Sequence, residues 1–307
     1  IPSSRGRAQN DTTGKRAQGF MSETEQGEAI IACYEDIKKA GCAGSILFTW
    51  QDEWFKRSWN TVANVDLTKS VFWSDYQTNE QFFGLLTFDP GKEKSICYTD
   101  GNVSEWRESD EIISDARFTL SGKYDEKFLY LRIHGEGLDF EKERIYIPVD
   151  VTPKTGSYYA REVNLRFEKP ADFLIMLDGK NNSRILVQER YDAFNVVFAE
   201  SYGGKNPYEN SPEKDSPVFV PIYQALKFGH TNTDAVSAAV FSEKFETGRL
   251  TYGNGNPENA DFNSLSDFIV NGDEIEIRLP WQLLNFSNPS EMQIHDDYYE
   301  NYGIENL

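Results

Sequence analysis

The apolar positions of this chain follow two different periods. From Ser22 to Ala40, the residues Ala29, Ile30, Cys33, Ile37 and Ala40 recur at helical spacing, which predicts a helix with one apolar stripe. Ser22 and Glu25 supply a capping box at its start, and Gly41 supplies the stop. The short run Ile46-Leu47-Phe48, bounded by Gly44 and polar residues, reads as a strand covered on both faces, as in a parallel sheet. Helix, glycine turn and buried strand make the αβ half of an α/β repeat. Residues 1–21 are polar with little periodicity and read as a loop. A short helix is expected near Leu67 to Trp73, and a further strand across Phe82 to Phe88. The turn Asp89-Pro90-Gly91 then marks a boundary.

Beyond about Ser95 the period drops to two. Alternating runs recur at Ala116 to Leu120, Phe128 to His134, Arg144 to Asp150, Glu162 to Phe167 and Phe173 to Leu177. Others follow at Arg184 to Val187, Ala193 to Ala199, Ser237 to Phe241 and Glu274 to Leu279. Glu274-Ile275-Glu276-Ile277-Arg278-Leu279 alternates most cleanly, as a half-buried strand does. These short strands with few helical stretches predict an antiparallel β-sandwich over residues 95–307. The segment Tyr202 to Pro221 carries four Pro and two Gly and reads as a long loop. No repeat of fixed period occurs.

Composition sharpens this picture. The 307 residues leave room for two domains, and the 14% aromatic content favours β-structure or sugar-contacting surfaces over a helical bundle. The formal net charge of −19 repels phosphate backbones and anionic lipid, so neither nucleic acid nor a membrane surface is an expected partner. No apolar run approaches the roughly 20 residues that span a bilayer. Cys33, Cys42 and Cys97 are odd in number and contain no CxxC pair, so they read as buried thiols and not as a disulfide framework. The compartment stays open, with an extracellular or cell-surface setting favoured. The start Ile1-Pro2, with neither Met nor a signal peptide, suggests a piece cut from a longer chain.

The candidate chemistry follows the run at Ile46–Phe48. Trp50, Asp52, Glu53, Trp54, Lys56, Arg57 and Trp59 fall within ten residues. Flat indole faces beside carboxylates suit sugar rings, which offer apolar C–H faces and hydroxyl edges, so carbohydrate is the expected partner. Asp52 and Glu53 are the candidate catalytic acids, since glycoside hydrolysis needs two carboxyls roughly 5 to 9 Å apart. Adjacent on a strand they point to opposite faces, and a salt bridge to Lys56 or Arg57 is the alternative use. Trp50, Trp54 and Trp59 are candidate stacking platforms, or else core. Arg5, beside two serines, is a candidate clamp for a hydroxyl or carboxylate, or one half of a structural ion pair. Trp106 and Trp281 read as core anchors, and Tyr158, Tyr159, Tyr202 and Tyr208 as loop candidates. Asp139, Asp150, Asp261 and Asp267 are candidate ligands of a structural Ca²⁺, without EF-hand spacing among them. His134, His230 and His295 are scattered, with no HExxH and no Cys/His cluster, so a zinc site is not expected. No nucleophile elbow or phosphate-binding glycine loop is present.

Two stretches resemble known families. Asp100, Gly101, Glu105 and Trp106 match a D-G-x-x-x-E-W segment, and Tyr124, Asp125, Leu129, Tyr130 and Leu131 match the Y-D-x-x-x-L-Y-L strand after it. With Ile147-Pro148-Val149-Asp150 and Leu279-Pro280-Trp281, these residues resemble the family-9 carbohydrate-binding-module-like β-sandwich, related to the DOMON group. Residues 1–91 resemble the C-terminal portion of a (β/α)₈ glycoside hydrolase-like barrel, with SILFTWQDEWF as its eighth strand and loop. That resemblance implies an upstream barrel portion in the same parent chain, carrying the usual nucleophilic Glu just before Ile1. It also implies glycosidic-bond hydrolysis by the parent and little activity in this chain alone. A non-catalytic carbohydrate-binding module and a structural accessory sandwich without a ligand are the alternatives.

Overall fold

The computed structural model of the chain describes residues 10–11, 16–17, 21–53, 58–61, 82–88, 91–92, 94–200, 204–227, 243–295, 297–300 and 304–306. These residues are mostly β, in antiparallel sheets, with few helices. The chain gathers into two compact units. One comprises Ile1–Lys56, Leu67–Asp139 and Thr251–Pro280; the other comprises Arg57–Asp66, Phe140–Leu250 and Trp281–Leu307. No helix among the described residues is long and apolar enough to cross a membrane. Arg5, Trp54, Lys56, Arg57, Leu67 to Trp73, Tyr202, His230 and Ser237 to Phe241 lie outside the described residues.

In the first unit the expected helix forms over Glu23–Lys39. Its capping box is complete: the Ser22 N–H donates to Glu25 Oε2 at 2.7 Å, and the Glu25 N–H donates to Ser22 Oγ at 3.2 Å. Gly41 ends it at a φ of +76° that other residues resist. Gln26 is the helix's buried residue, and its Nε2 donates to the Phe82 carbonyl at 3.0 Å. Much of the rest is open, and Cys33 and Cys42 are exposed thiols rather than the buried ones expected; Cys97 alone is buried.

The strand expected at Ile46–Phe48 does not form. Ile46 is 99% exposed, and Leu47 and Phe48 are exposed as well. A short apolar run becomes core only where something covers it, and among the described residues backbone pairing begins one residue later, at Thr49. Phe82 to Phe88 is likewise a string of turns and bends joined to Gln51 by a single bridge at Leu86.

The unit's main sheet has five antiparallel strands in the order Phe268–Asn271, Glu274–Pro280, Phe128–Gly135, Phe118–Tyr124, Glu111–Ser114. Register places Glu276 opposite Arg132, Arg278 opposite Tyr130 and Pro280 opposite Phe128. These even-numbered positions share one face of the pleat. On that side Phe128 and Tyr130 join Phe82, Cys97 and Trp106 in a buried cluster. Ile275, Ile277 and Leu279 are buried on the opposite face.

The second unit is built on a four-stranded antiparallel sheet in the order Phe219–Pro221, Arg184–Gln188, Phe173–Leu177, Ile145–Val149. All five residues of Phe173–Leu177 are buried, as a continuous apolar run requires. The stretch Ala193–Phe198, expected as a strand, is a short helix. Asp192 decides this locally, because its side chain accepts the Asn195 N–H at 3.2 Å and caps the first turn.

Candidate functional site

Two constructions in the first unit gather chemically capable side chains. The first is a ledge made by two parallel stretches. Leu85 N–H donates to the Thr49 carbonyl at 3.1 Å, Leu86 N–H to the Trp50 carbonyl at 3.0 Å, and Asp52 N–H to the Leu86 carbonyl at 2.9 Å. Gln51 and Leu86 form a parallel bridge. Gly84 is required there. A Cβ on it would lie 2.4 Å from the Asp52 nitrogen and 2.6 Å from the Leu86 oxygen. The approach leaves the Gly84 N–H within 2.8 Å of Asp52 Oδ1, which accepts it.

The side chains that follow are buried unequally. Trp50 is 66% exposed, while Asp52 is 3% exposed and Glu53 half-buried. Phe48, Leu85 and Leu86 are exposed too, and the Phe48 ring meets Phe83 edge-on at 6.1 Å. Of the expected site residues, the ledge therefore holds Trp50, Asp52 and Glu53. Trp59 belongs to the second unit and is only 2% exposed. Its Nε1 donates to the Gln282 carbonyl at 3.0 Å and its ring packs edge-on to Phe173. An indole so enclosed is core and offers no stacking face, which corrects the expectation for Trp59.

The second construction centres on Glu276, which sequence reading did not single out. Three donors converge on its carboxylate. Trp106 Nε1 reaches Oε1 at 2.8 Å, while the Gly101 and Asp100 N–H groups reach Oε2 at 2.7 and 3.2 Å. All three come from the D-G-x-x-x-E-W segment, which folds over the sheet as a loop and a single 3₁₀ turn, Val103–Glu105. Cys97 and Glu105 complete the cluster: one ligand atom from each of Cys97, Glu105 and Glu276 lies within 4.8 Å of the others. Burial raises the Glu276 carboxyl to about 7 against the pull of its three donors. Burial also pushes the Cys97 thiol up, with the Glu276 charge adding to it. Glu105 is raised by burial first and by Asp100 second.

The acids expected to bear on calcium have other uses or stand apart. Asp267 Oδ2 accepts the Thr251 N–H at 2.7 Å and fixes a turn. Asp261 is exposed, and Asp150 is raised to about 6 by burial and by Asp172. Among the described residues, the only group of three or more acid, thiol or imidazole side chains close enough to share an ion is Cys97, Glu105 and Glu276. Trp106 is buried, as expected of a core anchor. The signal that could have led to Glu276 is the polar residue opposite a D-G-x-x-x-E-W turn, but the pairing of the two lies in the fold.

Comparison with protein-family models, with characterised proteins and with solved structures finds no match.

Proposed function

We propose that the chain is part of a carbohydrate-active protein and that it binds glycan on the Trp50 ledge. On this reading residues 1–91 are the C-terminal portion of an α/β barrel and residues 95–307 a family-9-like β-sandwich. The observation that carries the binding role is the exposed Trp50 indole on a strip whose Phe48, Leu85 and Leu86 are exposed as well, with the half-buried Glu53 three residues on. A sugar ring lays its C–H face on such an indole and turns its hydroxyls toward neighbouring acceptors. The parallel pairing of Gln51 with Leu86 supports the barrel reading, because neighbouring barrel strands run parallel. The convergence of Asp100, Gly101 and Trp106 on Glu276 supports the family-9 likeness, since it makes the motif residues one bonded unit.

Binding is favoured over hydrolysis by this chain. Asp52 is buried and holds the Gly84 N–H, which suits a positioning role better than proton transfer to a substrate. Hydrolysis in a longer parent remains part of the proposal, with Asp52 or Glu53 lining its cleft.

Calorimetric titration of the full chain with a panel of neutral oligosaccharides tests the reading. At least one member should give heat, and Trp50→Ala should weaken it about tenfold, the worth of one stacked ring. No heat with any oligosaccharide, or equal heat from the Trp50→Ala protein, would overturn it and leave a structural role.

A further inference from the structure

The cluster around Glu276 has a composition that the glycan reading does not use. We propose that Cys97, Glu105 and Glu276 form a binding site for a borderline-soft divalent cation, with Zn²⁺ as the occupant that fits best.

Geometry is the first support. The three ligand atoms lie within 4.8 Å of one another on a short loop and the facing strand. Zn–S of about 2.3 Å and Zn–O of about 2.1 Å put a tetrahedral sulfur–oxygen pair about 3.6 Å apart. The three groups therefore need to close by about an ångström at most. Cys97 is 2% exposed and Glu276 is 1% exposed, so the site is shielded as structural metal sites are.

Unmet valence is the second support. Glu105 Oε2 is buried with no hydrogen-bond partner among the described residues, and so is the hydroxyl of Thr99, two residues along from Cys97. The Cys97 sulfur has only a long contact, 3.7 Å, to the Tyr98 carbonyl. A buried acceptor without a donor is costly, and a bound cation supplies what is missing.

Charge is the third support. The Lys123 ammonium near the cluster is engaged by Asp110 at 3.1 Å and by the Glu105 main-chain carbonyl. The three donors on Glu276 match the outer hydrogen bonds that orient ligating carboxylates. Thiolate with two carboxylates suits Zn²⁺ or Cd²⁺ and disfavours Ca²⁺ and Mg²⁺, which take oxygen alone. On binding, the Cys97 S–H bond breaks and the metal–sulfur bond forms. That proton leaves to solvent, along with whatever proton Glu276 holds.

The test uses the full chain with the exposed Cys33 and Cys42 both changed to Ser, which leaves Cys97 as the sole thiol. Titration with Cd²⁺ should develop the sulfur-to-cadmium charge-transfer absorption in the ultraviolet and saturate at one ion per chain. Zn²⁺ should then compete it away. Glu105→Gln should weaken binding by about ten- to a hundredfold while keeping the absorption, and Cys97→Ala should abolish the absorption. Circular dichroism establishes that each variant is folded. Absence of the absorption in the Cys97-containing chain would overturn the proposal, and so would unchanged affinity in Glu105→Gln. Neither result bears on glycan binding at Trp50.

Discussion

The indole Nε1 of Trp106 donates to Glu276 Oε1 at 2.8 Å, across 170 residues of chain. That bond fastens the Asp100–Trp106 loop to the centre of a sheet, and it places a carboxylate where water does not reach. The carboxyl's ordinary value of 4.5 is accordingly pushed to about 7. A carboxyl raised by folding contributes stability that is full below its unfolded value and is lost as pH rises through its folded one. Thermal stability should therefore decline between about pH 4.5 and pH 7, by roughly 3 kcal/mol at most from this group. Glu276→Gln should flatten that slope and lower the acid plateau, because an amide N–H₂ would face one of the three donors. Melting curves from pH 4.5 to pH 8 check this; a slope that survives in Glu276→Gln would remove Glu276 as its source.

A second prediction concerns the ledge. Gly84 has no room for a methyl group, with Asp52 nitrogen, Gln51 carbonyl carbon and Leu86 oxygen at 2.4 to 2.6 Å from where it would stand. All three are backbone atoms, so none can rotate away. Gly84→Ala should part the two stretches and cost about 2 kcal/mol or more. Trp50→Ala, on an open surface, should change stability by less than about 0.5 kcal/mol. Chemical denaturation of the two variants side by side separates the effects. Near-equal losses would show that the close approach at Gly84 does not matter to stability.

The second unit holds a buried ion pair whose breaking should be severe. Arg190 donates through Nε to Asp297 Oδ2 at 2.8 Å, its second nitrogen reaches the same oxygen at 2.8 Å, and both side chains are buried. Glu300, at 3.8 Å, is a more distant and exposed partner. Asp297→Asn leaves the guanidinium buried and only partly met, which should cost about 3 to 5 kcal/mol. Replacing both residues with apolar ones of similar volume should cost much less. A double-mutant cycle measured by melting decides it, and an additive result would mean the two do not act as a pair.

How far the sequence spoke for itself varies by element, for physical reasons. The strands Phe128–Gly135, Phe173–Leu177 and Glu274–Pro280 were plain in their patterns, since local alternation or a continuous apolar run reports burial directly. The helix Glu23–Lys39 announced its own start through Ser22 and Glu25. The run Ile46–Phe48 misled because burial needs a covering partner, which a run's composition does not encode. Ala193–Phe198 misled because one capping aspartate outweighed its β-branched content. Glu276 escaped notice for a subtler reason. Alternation marks it as a solvent-facing residue, yet the Asp100–Trp106 loop covers that face, and only the long-range pairing shows it. The sequence left Trp50 and Trp59 alike between stacking platform and core, because the difference between them is set by surroundings that each residue meets only in the fold.

His295 yields a prediction of opposite sign to that of Glu276. The ring is buried, and among the described residues neither nitrogen has a hydrogen-bond partner. Burial holds it neutral and lowers its value from 6.5 to about 4. A base lowered by folding contributes stability that is present above its unfolded value and is lost as pH falls toward its folded one. The loss should therefore develop between about pH 6.5 and pH 4, and it should amount to roughly 3 kcal/mol at most. The buried N–H also carries an unrecovered desolvation cost of about 1 to 3 kcal/mol at any pH. His295→Phe keeps a flat ring and removes both effects, so the variant should melt higher at pH 7 and higher by a wider margin at pH 5. His295→Gln keeps polarity without the titration, so it should lose the acid slope and gain nothing at pH 7. A His295→Phe protein that melts lower at both values would show that a ring nitrogen has a partner worth more than the burial it costs.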